Sequence, residues 1–318
     1  MKTRHKICIT MLIISILLFS CAPLDEANQT ISDYCTKVPE VFPVSEVQEE
    51  AKCEELVELS EFDQINESEE YTAQWYIDRN YNLANTIRRN NPSLTEEQIQ
   101  STVKKMSIDP NKPMVALSFD DGPIPGITDQ ILDVLVEYNA RATFFVCGWR
   151  LEDEEHKNIL RRIAASGCEI GNHTWSHELN KEQNYIGMRY EIENTNKIIF
   201  DTSGLRPRCF RPPGGRNSYE AIRVTRENNM IIVLWSQSGN AFETDPAKIA
   251  QNVEKQIVDG KELCDGDVIL LHDTHYCMVD AVKIMIPQLL KQGYQLVTVW
   301  ELLNCTGAEI TPGAIYQD

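Results

Sequence analysis

Short apolar segments alternate with amphipathic segments from about residue 112 towards the end of the chain. Seven of the apolar segments have the length and composition of buried β-strands. They are 114–119, 141–146, 168–171, 208–211, 230–235, 267–272 and 295–299. Segments with helical spacing lie between them, so the alternation predicts an α/β fold in which helices cover a parallel sheet. The pattern fits a closed barrel or an open doubly wound sheet. The lack of a GxGxxG motif after the first strand argues against a dinucleotide-binding fold.

The beginning of the chain has a different pattern. Residues 1–20 combine three basic side chains with an apolar stretch too short to span a bilayer comfortably, which is typical of a secretory signal. The stretch ends in "LFSC", which resembles the bacterial lipoprotein signal in which the cysteine, here Cys21, is lipidated. The alternatives are an ordinary cleaved signal and an uncleaved membrane anchor. All three place the rest of the chain outside the cytoplasm.

Composition separates the segments that follow. Residues 21–70 are rich in Glu, Asp, Ser and Pro and predict an acidic tether. Residues 71–111 have the spacing of a short helical segment, with a capping box at Thr95. The alternation of strands and helices occupies 112–306, and 307–318 form a C-terminal tail. The formal net charge of −18 argues against a nucleic-acid partner, because phosphate binding needs a basic surface.

The ten cysteines contain no CxxC pair, so a thiolate zinc site has no support. An exported protein can form disulfides, and the spacing of Cys35 and Cys53 allows a local pair. Several other cysteines lie in strand-like segments, where a thiol packs as a small hydrophobic group.

Four polar motifs fall at predicted carboxyl ends of strands, which is where parallel α/β folds place their sites. They are "SFDDGP" (118–123), "HTWSH" (173–177), "RPPGG" (211–215) and "LLHD" (270–273). The adjacent carboxylates of Asp120 and Asp121 repel each other unless positive charge is nearby. The motifs therefore predict a cationic group beside this pair.

Two histidines supply ligands for such a group. Because His173 and His177 are four residues apart, one helical turn would put both imidazoles on one face. With a carboxylate they make a two-His-one-carboxylate set suited to a divalent metal. Arg211 could donate a bidentate pair of hydrogen bonds to the second carboxylate, and His272 is a candidate proton donor. Taken singly, each side chain also fits a structural role, as a capping or core histidine or a surface arginine.

In this order and spacing, the four motifs resemble those of the polysaccharide deacetylases of the NodB-homology type, carbohydrate esterase family four. The intervening "RATFFVCGWRL" and "GCEIGNHTWSH" also match that family, so the resemblance covers about residues 112–304. It implies a distorted (β/α) barrel with seven parallel strands. It also implies one divalent transition metal ion, with zinc as the first choice and cobalt or nickel as alternatives.

The resemblance further implies roles for single residues. Asp120 would be the general base, oriented by Arg211. The metal would be held by Asp121, His173 and His177.

The rest of the implied site is less regular. His272 would be the general acid, Leu270 would line the pocket for the acetyl methyl group, and the backbone N–H of Gly214 would help to hold the oxyanion. The family often has an Asp-Trp pair after the fifth strand, but Ala241 and Phe242 align with it here. Phe242 could still form an apolar wall, whereas Ala241 cannot brace the acid histidine.

These observations predict a metal-dependent hydrolase that removes N-acetyl groups from N-acetylglucosamine-type residues of an extracytoplasmic polysaccharide, either peptidoglycan or a chitin-like polymer. The alternatives are an O-acetyl-xylan esterase and a catalytically weakened carbohydrate-binding lipoprotein on the same scaffold. The expected partners are an acetylated polysaccharide or oligosaccharide and, through Cys21, a membrane. The expected location is the outer face of the bacterial cytoplasmic membrane or the cell envelope.

Overall fold

The computed structural model describes residues 67–178, 184–238, 245, 247–248 and 263–317. The signal segment with Cys21, most of the predicted tether, and Ala241 and Phe242 lie outside these residues. Within the described ranges, none of the helices combines the length and the apolar character needed to cross a membrane.

Two helices precede the sheet, α1 (Glu67–Asn90) and α2 (Glu96–Lys105). The first begins four residues before the predicted boundary at residue 71. The predicted capping box is confirmed, because Thr95 and Gln98 exchange hydrogen bonds between side chain and backbone at the start of α2. The two helices share a small apolar core of their own.

Nine short strands form one parallel sheet in the described part of the chain. They are β1 (Met114–Asp120), β2 (Thr143–Val146), β3 (Glu169–Asn172), β4 (Cys209–Phe210), β5 (Ile231–Val233), β6 (Gln237–Ser238), β7 (Val268–His272), β8 (Gln295–Val297) and β9 (Ile315–Tyr316). The helices among them are α3 (Thr128–Glu137), α4 (Glu154–Ala165), α5 (Tyr185–Ser203), α6 (Tyr219–Glu227), α7 (Cys277–Lys291) and α8 (Val299–Cys305). The strand order is β6-β7-β1-β2-β3-β4-β5-β9, and β8 also pairs with β1.

This curled parallel sheet with covering helices confirms the predicted α/β barrel class. Each of the seven predicted strands is present, and the strand count differs because β6 and β9 are two-residue strands without a readable pattern. The segment 307–318, predicted as a tail, supplies β9, which pairs with β5.

Strand β1 lies at the centre of the sheet. All seven of its residues are buried, which explains its nearly continuous apolar sequence "MVALSFD". One edge pairs with β7, while the other pairs with β8 near its start and with β2 near its end. The strand that carries Asp120 is therefore held along its whole length.

A buried ion cluster joins α1 to the sheet. Arg79 contacts Glu301 Oε1 through Nε at 2.9 Å and Nη2 at 2.6 Å, and Arg141 Nε donates to Oε2 at 3.0 Å. Burial alone would raise the pKa of Glu301, but the guanidiniums of Arg141 and Arg79 outweigh it and lower that pKa. The carboxylate thus carries a charge that both arginines satisfy.

Candidate active site and metal centre

Parallel pairing brings the polar motifs together at the carboxyl end of the sheet. In the β1–β7 register, Asp120 lies opposite His272 and Ser118 lies opposite Leu270. Residues two apart on a strand point to the same face, so these four side chains share one face of the sheet. The predicted base and the predicted acid are therefore neighbours.

The predicted metal ligands form one cluster. Asp121 Oδ1 is 3.3 Å from His173 Nε2 and 3.2 Å from His177 Nε2. One ligand atom from each residue lies within 4.8 Å of the others. Ligand atoms at 2.0–2.1 Å from a tetrahedral ion are about 3.3 Å apart. Asp121 Oδ1 is buried and has no hydrogen-bond partner in the described structure, so these donors fit a divalent cation.

The tautomer of His173 is fixed for metal binding. Its Nδ1 lies 2.7 Å from the carbonyl oxygen of Arg211, which can only accept, so Nδ1 carries the proton. The Nε2 lone pair then faces Asp121. A backbone carbonyl is a common outer partner of a metal-binding histidine.

The predicted helical turn between the two histidines is wrong. His173 and His177 lie in an irregular loop after β3. Thr174 and His177 have left-handed φ angles of 67° and 57°. The Asn172 side chain accepts from the Thr174 N–H at 2.8 Å, and Thr174 Oγ1 accepts from the His177 N–H at 3.1 Å. Asp121 is left-handed too, at φ 76°, so the ligands rest on a strained backbone that side chains hold in place.

All three nitrogens of the Arg211 guanidinium donate hydrogen bonds. It is fully buried, and Nη1 donates to Asp120 Oδ1 and to Ser118 Oγ, both at 2.8 Å. Nε donates to the Val233 carbonyl at 3.0 Å and Nη2 to the Leu234 carbonyl at 2.9 Å. The pairing with Asp120 is a single hydrogen bond, not the expected bidentate pair, because Nε and Nη2 donate to backbone carbonyls and the second N–H of Nη1 donates to Ser118.

Asp120 and Asp121 differ in surroundings. Asp120 is buried, with one oxygen on Arg211 and Oδ2 3.7 Å from His173 Nε2. Burial would raise the pKa of Asp121, but the neighbouring imidazoles of His173, His177 and His272 lower it to about 2. Asp121 is thus an anionic ligand at neutral pH, and Asp120 keeps a free oxygen beside it.

The other predicted site residues lie at the same edge. His272 Nε2 is 3.9 Å from Asp121 Oδ2, and His272 Nδ1 is buried without a hydrogen-bond partner among the described residues. Leu270 is buried two residues earlier on β7. Gly214 is exposed in the turn Pro213–Gly215 at φ 61°.

Two contributors were not predicted from the sequence. Arg150 Nε donates to the Asp121 carbonyl at 2.5 Å. Asp273 lies directly under Gly122, where an added Cβ would be 2.1 Å from Asp273 Oδ2, and it accepts from Thr128 Oγ1 at 2.5 Å. Burial raises the pKa of Asp273 to about 7. Both residues stand in segments already singled out, "RATFFVCGWRL" and "LLHD".

Comparisons with known proteins agree with this geometry. The family described as Polysaccharide deacetylase matches residues 107–233. The peptidoglycan-N-acetylmuramic acid deacetylase PdaC of Bacillus subtilis is 38% identical over 230 residues, 71% of this chain and 46% of PdaC. A peptidoglycan-N-acetylglucosamine deacetylase of Bacillus cereus is 35% identical over 199 residues, 61% of this chain and 90% of that protein.

Solved structures give the same picture. The structure of PdaC matches with a TM-score of 0.57 and 37% identity, over 63% of this chain and 94% of that chain. A family 4 acetyl xylan esterase from Clostridium thermocellum, in complex with a cobalt ion, matches with a TM-score of 0.57 and 34% identity, over 64% of this chain and 97% of that chain.

The alignment spans about half the length of PdaC but nine-tenths of the Bacillus cereus protein. Nearly the whole of that second relative is therefore matched by this chain. With the family match and the ligand cluster inside the matched residues, the chain belongs to the polysaccharide deacetylase family.

Proposed function

We propose that this protein is a metal-dependent deacetylase that hydrolyses the N-acetyl groups of glucosamine-type sugars in a cell-wall polysaccharide. One observation carries the proposal: the Asp121–His173–His177 cluster lies beside a carboxylate, Asp120, that Arg211 holds by one oxygen only. Metal ligands next to a positioned base are what the hydrolysis of an amide requires.

Zinc is the proposed metal. Two imidazoles and one carboxylate, with positions left for water and substrate, suit zinc and its neighbours among the divalent transition ions. Cobalt, which the Clostridium thermocellum esterase holds, and nickel are the alternatives. When bound, such an ion acidifies water and polarises a carbonyl group.

The side chains divide the proton transfers between them. Asp120 Oδ2 takes the proton of the attacking water. Arg211 holds the other oxygen, Oδ1, and so fixes the orientation of the whole carboxylate. His272, opposite Asp120 in the register, donates a proton to the departing amine. The Gly214 N–H is the proposed donor to the oxyanion, and Leu270 the proposed contact of the acetyl methyl group.

The proposed polymer is peptidoglycan, because the two relatives described above act on its N-acetylmuramic acid and N-acetylglucosamine residues. O-acetylated xylan is a second candidate, favoured by the similarity to an acetyl xylan esterase. A weakened enzyme that binds carbohydrate is a third. It is favoured by Nδ1 of His272, which has no partner among the described residues, since an acid histidine usually has an orienting partner.

Acetate release separates these candidates. The full chain is incubated with N-acetylated peptidoglycan, chitin oligomers and acetylated xylan, with and without chelator. The proposal expects release from peptidoglycan that the chelator abolishes and zinc restores. Asp133→Asn, a change of an exposed carboxylate, is the matched control for Asp120→Asn. Release from xylan alone would favour the esterase, and no metal-dependent release from any polymer would favour the binding protein.

The proposed location is the outer face of the membrane, with Cys21 as the lipid anchor. The support comes from the basic start, the short apolar stretch and "LFSC". Cys21→Ser should abolish labelling by a radioactive fatty acid and release or misprocess the protein, with Cys8→Ser as control. Unchanged labelling of the Cys21 variant would show that the anchor is not there.

A further inference from the structure

A large cavity lies at the end of the sheet opposite the metal ligands. Its volume is about 690 Å³. The wall includes two glutamates, Glu169 at the amino end of β3 and Glu301 in the first turn of α8. Arg208 lies just before β4, and α1 closes one side of the cavity with Arg79 and Arg89. Because the strands are parallel, this amino end is separated from the catalytic cluster by the length of the sheet.

Three arginines in the wall have no acidic partner in the part of the chain that the structure describes. Arg89, Arg206 and Arg208 are exposed, and none forms an ion pair or donates a hydrogen bond within the described ranges. The acidic residues of the wall are already engaged. Asp78 has an interaction of its own, Glu169 accepts from Thr143 and the Trp300 N–H, and Glu301 binds Arg79 and Arg141. Four arginines and three acidic residues line the cavity, so the lining is net positive by one charge in a chain whose formal net charge is −18.

Two of these guanidiniums are held by aromatic rings. The Cζ of Arg206 is 4.6 Å from the ring centre of Phe200, and the Cζ of Arg208 is 4.2 Å from that of Trp300. Stacking fixes the plane of a guanidinium but leaves its N–H edge free to donate. The edges are therefore oriented before any ligand arrives.

The third guanidinium is held by backbone. Helix α5 ends at Ser203, and an added Cβ on Gly204 would lie 2.1 Å from Arg89 Cζ. Arg89 thus rests on the end of α5, yet it donates no hydrogen bond to a described carbonyl there. The N–H groups of Arg89 are therefore not used in a hydrogen-bonded cap of that helix.

We propose that this cavity is a second binding site, for a phosphate-bearing ligand. Guanidinium edges bind phosphate oxygens through paired, charge-assisted hydrogen bonds, and three such groups match an anion of more than one charge. Helix α1 then has a binding role, since it supplies one wall and Arg89. The phosphate can belong to a free oligophosphate or to a phosphodiester polymer.

Calorimetric titration of the zinc-loaded full chain tests the proposal. The probes are pyrophosphate, poly(glycerol phosphate) and, as a tricarboxylate of similar charge, citrate. We expect both phosphates to bind and the triple variant Arg89→Gln/Arg206→Gln/Arg208→Gln to bind them at least about tenfold more weakly, since three charged donors are lost. Tighter binding of the polymer identifies a phosphodiester polymer as the ligand, and tighter binding of pyrophosphate identifies a free oligophosphate.

Two control variants make the result specific. Arg88→Gln/Arg161→Gln/Arg223→Gln removes the same charge outside the cavity and should bind like the wild type. The corresponding lysine variant of the three cavity arginines should bind with intermediate affinity, because charge remains but the paired geometry is lost. Metal content and acetate release should be unchanged in all variants, which checks the fold. Equal binding by the wild type and the triple glutamine variant, equal loss in the surface control, or citrate binding as tight as that of the phosphates would overturn the proposal.

Discussion

Arg208 and Arg211 flank the same two-residue strand, β4, and both guanidiniums stack on an aromatic ring. Arg208 lies 4.2 Å from the ring centre of Trp300, and Arg211 lies 4.1 Å from that of Phe145. Arg211 is fully buried and donates four hydrogen bonds, whereas Arg208 is exposed and donates none to described residues. A guanidinium whose nitrogens all donate hydrogen bonds within the protein positions its neighbours, while one without such bonds is available to a ligand.

The buried carboxyl groups of the two ends differ in the opposite sense, because the one with ionic partners lies at the amino end. At the amino end, Glu301 lies between two arginines, and its pKa is lowered. At the carboxyl end, Asp273 has a hydroxyl partner, Thr128, and burial raises its pKa to about 7. Cationic partners decide which buried carboxyl group stays ionised.

The largest effect is expected at the two carboxylates of the proposed active site, Asp120 and Asp121. Asp120→Asn should keep its metal and lose about 10²–10⁴-fold in acetate release, because a positioned proton acceptor contributes that much. Asp121→Asn removes a ligand, so its metal affinity should fall and excess zinc should restore part of the rate. Elemental analysis and acetate assays measure both. If the Asp120 variant lost its metal and the Asp121 variant kept it, Asp120 would be the ligand and Asp121 the base.

A smaller effect separates the two arginines. Arg211→Met leaves Asp120 buried without its cation and should cost about 3–5 kcal/mol of unfolding free energy. Arg208→Met changes an exposed side chain and should stay within about 0.5 kcal/mol. Urea unfolding of the apo proteins measures both values. Similar losses at the two positions would show that Arg208 is structural too.

The smallest effect is a pH dependence with opposite sign at the two ends. The pKa of Asp273 is about 7 in the folded protein, so between about pH 4 and 7 the folded state holds a proton that the unfolded state has lost. The contribution of Asp273 to the free energy of unfolding therefore falls as pH rises through this range, by at most about 4 kcal/mol. The lowered pKa of Glu301 makes its contribution fall as pH drops below about 4.5. Unfolding of apo Asp273→Asn and Glu301→Gln, each compared with the wild type from pH 3.5 to 8, measures these slopes. Parallel pH profiles for the two variants would contradict the assigned charges.

Much of the site could be predicted because the motifs end parallel strands, and parallel strands bring their carboxyl ends together. This reasoning predicts that six side chains of the site lie close together: Asp120, Asp121, His173, His177, Arg211 and His272. The turn of the HxxxH segment could not be predicted, since a β-branched residue such as Thr174 rarely adopts a left-handed φ and does so here only with partners from the loop.

Other features depend on contacts distant in sequence. The carbonyls of Val233 and Leu234 that occupy Arg211 follow from the approach of β5 to β4, which the sequence of neither segment reveals. Strands β6 and β9 have two residues each, too few for an alternating pattern. The arginine cavity combines α1 with loops before β3 and β4, so no single motif marks it.

The double-sided pairing of β1 has a consequence for amide hydrogen exchange. Opening of β6 or β9, which end the described sheet, leaves every pairing of β1 intact. The amides of β1 should therefore exchange only through global unfolding, while those of the end strands exchange through local openings of low free energy. Asp120 ends this most protected segment, so its position should persist while the end strands of the described sheet open locally.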